Sequence, residues 1–348
     1  MRLARHIIGS TLLIGALTLS GALGARAEIA VESFKVPRGS HPHDVAPTAD
    51  GAVWYTAQHG GALGRLDPAT GQTRQVPLGE RSRPHSLVVG PDGALWVTDG
   101  GLNAILRVDP VSEQVDRFPL PSWRPFANLH NLAFDRAGMV WFTGQIGVYG
   151  RLDPETGTIK LFRAPGGPGP SGMTRTPDGE IYFSSLSGDY IARIDPETGQ
   201  AEVIDLPKPD LAPRRYLDPE TGETREVQPS NEQGPRMLAS DSKGRLWMTE
   251  WHAGELGLYD PANGSWQEWR LPGGAPEPYA VYVDAKDQVW LSEFNLDSIY
   301  RFDPITEAFE RVRLPRSNGR VRQINGRPGE IWAAESGADH LIVLRGVE

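Results

Sequence analysis

The sequence predicts an all-β fold, a seven-bladed β-propeller of four-stranded antiparallel blades whose last blade is closed by the N-terminal strand. Three observations carry this expectation. An aromatic residue recurs in one local setting at a near-constant interval, an Asp-Pro turn recurs downstream of it, and 40 glycines and 30 prolines against 5 methionines favour short strands and tight turns over long helices.

The aromatic series is Trp54, Trp96, Trp141, Tyr182, Trp247, Trp290 and Trp332, with spacings of 42, 45, 41, 65, 43 and 42 residues. Each sits in an apolar run after a turn such as Pro91-Asp92-Gly93, which marks the second strand (B) of a blade. A third strand (C) follows, of the kind Gly64-Arg65-Leu66, and ends in Asp67-Pro68, a turn repeated at Asp109, Asp153, Asp195, Asp260 and Asp303. The outer strand (D) finishes in Leu-Pro or a similar pair, as in Trp269-Arg270-Leu271-Pro272 and Val312-Arg313-Leu314-Pro315. The innermost strand (A) precedes each turn and starts at Asp44-Val45 in the first unit. The seventh unit reaches Glu348 without a strand D, and the missing strand is supplied by Glu32-Ser33-Phe34-Lys35-Val36-Pro37. That arrangement joins the chain ends and leaves no open sheet edge at the closure.

Two segments fall outside the repeat. Arg2 and Arg5, the apolar run from Ile7 to Leu23 and Ala25-Arg26-Ala27 read as a signal peptide over residues 1–27, cleaved after Ala27. The rest, 28–348, is expected to be one propeller domain in the periplasm or secreted, with no membrane span after cleavage. The long 65-residue interval holds about twenty-two extra residues at 208–229, including a second Asp218-Pro219-Glu220-Thr221-Gly222 turn, and reads as an inserted hairpin or lid.

With no cysteine, the chain has no disulfide, thiolate ligand or cysteine nucleophile. The formal net charge of -9 argues against nucleic acid or an anionic membrane surface as partner. A small-molecule ligand or substrate, or a periplasmic protein, remains, and a monomer is expected. No Gly-rich phosphate cradle, Gly-x-Ser-x-Gly elbow, His-Glu-x-x-His pair or EF-hand loop is present.

Neighbouring antiparallel strands reverse direction, so the start of strand A and the end of strand B lie at one mouth of the central channel. His43, His85, His130, Ser171, Arg236, Tyr279 and Arg322 occupy the first of these positions, and Ala57, Asp99, Gly144, Ser185, Glu250, Glu293 and Glu335 the second. Imidazoles and carboxylates converging on a cleft can ligate a divalent metal or serve as general base and acid. The candidate catalytic residues are His43, His85, His130 and Glu335, and the candidate metal set is His85, Asp99, His130 and Glu335. Arg236, Tyr279, Arg322, Glu250 and Glu293 are candidates for substrate binding, the arginines as clamps on an anionic group. The plainer alternative is that Pro-His merely starts strand A and that the acids solvate turns or pair with arginines. The Trp series and the Gly-Arg-Leu-Asp-Pro series are read as structural.

The repeated unit, with its Asp-Gly-x-apolar-Trp-apolar-Thr-Glu/Asp core and Gly-Arg-Leu-Asp-Pro tail, resembles that of the streptogramin lyases, also called virginiamycin B lyases. The resemblance covers nearly the whole chain after residue 27. It implies a carbon-oxygen lyase that opens a cyclic ester by elimination, with a divalent metal, magnesium, a last-blade His as base and nearby carboxylates. Position by position, the base falls on Arg322, the sixth-blade His on Tyr279 and an acid on Arg320, while the carboxylate after the last-blade Trp is kept as Glu335. The expectation is therefore a streptogramin-lyase-like propeller, nominally a metal-assisted lyase acting on a cyclic ester or lactone-type molecule. A non-catalytic ligand- or protein-binding propeller is the alternative, and a gluconolactonase-like hydrolase, with Asn131 and Asn295 as the amides for a calcium site, is a further one.

Overall fold

In the computed structural model, residues 29–121, 126–209, 213–217, 221–228 and 230–347 are described. The expected signal segment at 1–27 lies outside them. Seven four-stranded antiparallel sheets form the ring, and among the described residues there is no helix.

The first blade runs outward as β2 (Pro42–Pro47), β3 (Val53–Ala57), β4 (Ala62–Asp67) and β5 (Gln72–Pro77). The next five repeat that order from innermost strands β6 (Pro84–Val89), β10 (Leu129–Phe134), β14 (Pro170–Arg175), β20 (Pro235–Ser240) and β24 (Pro278–Val283). The last blade is β28 (Val321–Arg327), β29 (Glu330–Glu335), β30 (His340–Arg345) and then β1 (Ala30–Lys35), the N-terminal strand. The closure is in register from Ala30↔Arg345 to Lys35↔His340, and Phe34 stacks on Trp332 with ring centroids 5.6 Å apart. This is the ring closure that the missing strand D predicts.

Every Trp of the strand-B series is buried. An indole takes about 200 Å² out of water, roughly 5 kcal/mol at about 25 cal/mol/Å², so these residues carry the packing between blades. The polar edge of the indole is also satisfied. Trp96, Trp141, Trp247 and Trp290 donate to the turn aspartates Asp92, Asp135, Asp241 and Asp284, and Trp332 donates to Glu330. The Arg of Gly-Arg-Leu faces the Trp across the ladder, and Arg151 and Arg301 each lie 5.4 Å above their indoles. Both motifs thus have structural roles.

The mouth is shaped by a repeated irregularity. In every blade the register of strands A and B shifts just after the first pair, for example between Pro42 and Val45 and between Pro84 and Leu87. The two residues inside each shift form a bulge, which re-aims side chains at the end of a sheet. The hydroxyl of Trp-x-Thr/Ser holds that bulge and ties it to the next blade. Thr98 Oγ1 accepts from Ser86 N (3.0 Å) and donates to the His130 carbonyl of the following blade (2.8 Å). Thr56, Thr143, Ser184 and Thr249 form the same two links. In the seventh blade Ala334 takes the place of the hydroxyl, and Asn325 instead donates to Val45 of the first blade.

A second link joins blades at the turn after strand B, where the chain adopts positive φ at Gly61, Asn103, Gly147, Asp189, Gly254, Asp297 and Asp339. Glycine and Asn/Asp tolerate that conformation best. Where the residue is Asn or Asp, its side chain accepts backbone N–H groups at the start of the next blade: Ala127 for Asn103, Gln233 and Gly234 for Asp189, Asn318 and Gly319 for Asp297, Gly39 and His41 for Asp339.

The insertion forms a separate two-stranded hairpin, β18 (Arg214–Leu217) with β19 (Thr224–Val227), paired from Arg214↔Val227 to Leu217↔Thr224. Its remaining residues fall in part outside those described.

Candidate functional site

The first residues of the seven bulges follow one another around the inner ends of the blades in the order His43, His85, His130, Ser171, Arg236, Tyr279, Arg322. The three imidazoles lie one against the next, with centroids 3.8 Å apart for His43 and His85 and 4.3 Å for His85 and His130. Burial drives the pKa of all three well below the usual histidine value, and neighbouring histidines and the Arg236 and Arg322 charges push the same way. They are neutral near pH 7.

Hydrogen bonding fixes one tautomer. His85 Nδ1 lies 3.0 Å from the His130 carbonyl, which can only accept, so Nδ1 carries the proton. His43 Nδ1 is 2.7 Å from Asp44 Oδ1, the second residue of the same bulge. Burial raises the Asp44 pKa to about 7, against the pull of hydrogen bonds from Leu87 N and Ser86. Buried His130 has no well-formed partner on either ring nitrogen, although the Ser171 carbonyl lies beside it.

The other half of the ring is cationic and aromatic. The Arg236 guanidinium lies 3.9 Å from the Tyr279 ring centroid and 5.1 Å from that of Trp251. Arg322 Nη1 donates to the Tyr279 hydroxyl at 3.2 Å. Tyr279 stacks on Phe294 at 4.8 Å, and Trp251 meets both rings edge-on. The Nε atoms of Arg236 and Arg322 are buried without a hydrogen-bond partner. Among the described residues no ion pair is formed by either guanidinium. Trp251 also lines a cavity of about 430 Å³, shared with Arg270, Glu277, Glu232 and Gln228 at the foot of the hairpin.

Trp251 and Phe294 escape the sequence reading. Each directly follows a strand-B acid, Glu250 or Glu293, so extending the repeat alignment by one residue would have found them.

The four strand-B carboxylates do not converge on the histidines. Asp99 accepts from Ser82 Oγ, Arg83 N (2.9 Å) and Leu102 N (2.9 Å). Glu293 accepts from Glu277 N, Asn295 N and Leu296 N. Glu335 is held by Arg316 Nη1 at 2.9 Å. Each of these three anchors its own loop, the plainer reading of the pattern. Glu250 stands apart, since both its oxygens are buried and no well-formed hydrogen bond reaches them.

The metal set His85, Asp99, His130 and Glu335 is therefore not assembled. Among the described residues the only group of three or more acids or imidazoles with ligand atoms within 4.8 Å of one another is Glu250, Glu255 and Glu268. The physical reason is that Asp99 is consumed by loop contacts and Glu335 is turned to Arg316 through Oε2, its Oε1 being buried without a partner, while the imidazoles pack against one another at a tilt. With Arg322 and Tyr279 where the resemblance puts histidines, the mouth presents guanidinium donors, and a magnesium ion does not fit there. The amides proposed for a calcium site do not meet either. Asn131 accepts from Leu132 N and Ser86 in the channel, and Asn295 donates to the Ala275 carbonyl on an outer turn.

Comparison with known proteins places this geometry. The family model described as the virginiamycin B lyase family matches residues 17–224, more than half of the chain. The chain belongs to this family.

Solved structures agree at the level of fold. A streptogramin B lyase superposes with a TM-score of 0.78 at 22% identity, covering 91% of this chain and 97% of that one. A catalytically inactive variant of the virginiamycin B lyase of Staphylococcus aureus with quinupristin gives 0.79 at 20%, covering 91% and 99%. The extracellular domain of a protein assigned to a one-component system of B. thetaiotaomicron gives 0.68 at 16%, covering 91% of this chain and 40% of that one. No curated protein matches by sequence. Members and neighbours of this fold thus include both lyases and extracellular domains of signalling systems. No helix among the described residues is long and apolar enough to cross a membrane.

Proposed function

We propose that this member of the virginiamycin B lyase family is an exported ligand-binding propeller that takes a small anionic molecule at the channel mouth. One observation carries the reading: Arg236 and Arg322 converge on Tyr279 with buried, unpartnered Nε atoms, and among the described residues neither forms an ion pair. Both arginines are only partly buried, but each Nε is shut off from water without an acceptor, and a carboxylate or phosphate supplies that acceptor in bidentate geometry. Trp251 and Phe294 beside them offer flat apolar faces, so the ligand is expected to join an anionic group to a planar or apolar body. The exported location rests on the N-terminal sequence pattern.

The test is calorimetric titration of the purified protein with a panel of aryl and alkyl carboxylates and phosphates. Binding that weakens at least about tenfold in Arg322→Gln and Arg236→Gln, the loss of a charged hydrogen bond, supports the reading. A ligand bound equally well by both variants overturns it.

The His43–Asp44 pair favours a second reading, elimination without a metal. When Asp44 is ionised, His43 Nδ1–H donates to it and leaves the other ring nitrogen, Nε2, as the free base, and the neutral imidazole can then accept a proton from the carbon beside an ester's activating group. The C–H electron pair would form the new double bond while the C–O bond breaks and a carboxylate leaves toward the arginines. Turnover of cyclic esters that vanishes in His43→Ala would support this over binding alone. Binding of the same esters without product would remove it.

A further inference from the structure

We infer that the fifth blade carries a calcium site built from Glu250, Glu255 and Glu268, separate from the channel mouth and from the positions to which the family resemblance assigns a metal. Glu250 ends β21 (Leu246–Glu250), Glu255 begins β22 (Glu255–Asp260), and Glu268 lies on β23 (Ser265–Arg270). One ligand oxygen from each lies within 4.8 Å of the other two. Calcium binds oxygen at about 2.3–2.6 Å, so opposite ligands are at most about 5 Å apart and a single ion can reach all three. The donors are all hard oxygens, the set that suits calcium or magnesium rather than zinc or copper.

The cluster is more than adjacent acids on a surface. Glu250 is fully buried, and neither of its carboxylate oxygens has a well-formed hydrogen bond. Glu255 is buried too, at 7% exposure. Gly257 makes room for this, because a Cβ there would stand 2.3 Å from Glu250 Oε1. Glu255 and Glu268 bring two further carboxylates against Glu250, and the Gln233 amide Nε2 donates to Glu268 Oε1 at 2.5 Å. Asp189 is committed to Gln233 N and Gly234 N. Arg270 faces Glu255 across the ladder, with its Nη atoms also donating to the Ala253 and Gly274 carbonyls. A proton shared with one neighbour would satisfy one oxygen of Glu250 and leave the other bare. A divalent cation satisfies both and cancels the mutual repulsion.

The site would also reach the mouth, since Glu250 is followed directly by Trp251, which packs against Arg236 and Tyr279. Fixing the Glu250–Glu255 turn would fix that indole.

The test uses the full mature chain stripped with chelator and titrated with calcium chloride, with magnesium chloride as comparator, by calorimetry and by thermal unfolding. One calcium per chain and a rise in unfolding temperature are expected, with magnesium weaker. Glu250→Gln should abolish both signals while keeping the far-UV spectrum. Half-buried Glu268→Gln, which bears less on folding, should weaken calcium at least about tenfold, as removing a charged ligand does in calcium loops. Arg322→Gln should leave calcium binding unchanged, which separates this site from the mouth. Absence of heat and of a thermal shift at millimolar calcium, or calcium binding that survives both glutamine variants, overturns the inference.

Discussion

Thr98→Val tests the device that joins one blade to the next. Valine keeps the shape and the β-branching of threonine, so packing is nearly conserved, but the hydroxyl is lost. Thr98 is fully buried, and its Oγ1 accepts from Ser86 N at 3.0 Å and donates to the His130 carbonyl at 2.8 Å. The substitution strips one bond from each of these two groups. Leaving a buried polar group unsatisfied costs about 1–3 kcal/mol. His130 O also accepts from His85 Nδ1, so its loss is partial and the expected total is about 2–4 kcal/mol. Thr98→Ser is the control, because Ser184 and Ser292 occupy the equivalent position in two other blades. It keeps the hydroxyl and removes only a methyl group, for about 1 kcal/mol. Equilibrium denaturation in urea at pH 7.5 reads both, with the slope checked for a single transition. If the valine variant is no less stable than the serine variant, the hydroxyl links are not what holds the bulges, and the account of the Trp-x-Thr/Ser motif fails.

Other perturbations probe the charges. With its pKa raised from 3.8 to about 7, Asp44 withdraws stability as pH rises through that window, about 4 kcal/mol in all at about 1.4 kcal/mol per unit. Asp44→Asn can still accept from Leu87 N and meet His43, so it should be near neutral at pH 4 and stabilise by about 2–4 kcal/mol at pH 8, read as a flattened pH profile of unfolding. An unchanged profile would show that Asp44 does not titrate in this range. Arg316→Ala leaves the buried Glu335 carboxylate without its cation and should cost about 1–3 kcal/mol near pH 8, since Arg316 is itself partly exposed. Burial already raises the Glu335 pKa, so the loss should shrink as pH falls and the carboxyl protonates, and a loss independent of pH would point to packing instead.

The repeat was legible because it is local. Spacing, Asp-Pro turns and the unpaired Glu32–Pro37 strand are properties of neighbouring residues, and each blade is a meander of consecutive strands. Seven blades, their strand order and the closure of the last by the first strand follow from the sequence. The ring of His43, His85, His130, Arg236, Tyr279 and Arg322 was legible for the same reason, since equivalent repeat positions must face the same mouth.

What those residues do to one another was not legible. The sequence placed Asp99, Glu293 and Glu335 at the mouth, but whether a carboxylate turns inward or caps its own loop depends on side-chain torsions and on backbone N–H groups brought up by a neighbouring turn. Glu250 shows the opposite outcome: Asp189 of the preceding blade takes the N–H groups of Gln233 and Gly234, which leaves Glu250 to lie over Gly257 beside Glu255 and Glu268. The sequence by itself determined the architecture, because a repeated pattern buries its apolar strands only by stacking with its own copies. The tertiary structure alone decided the chemistry of the mouth and of the fifth blade, because contacts between blades assign each charged group either to a partner or to an opening.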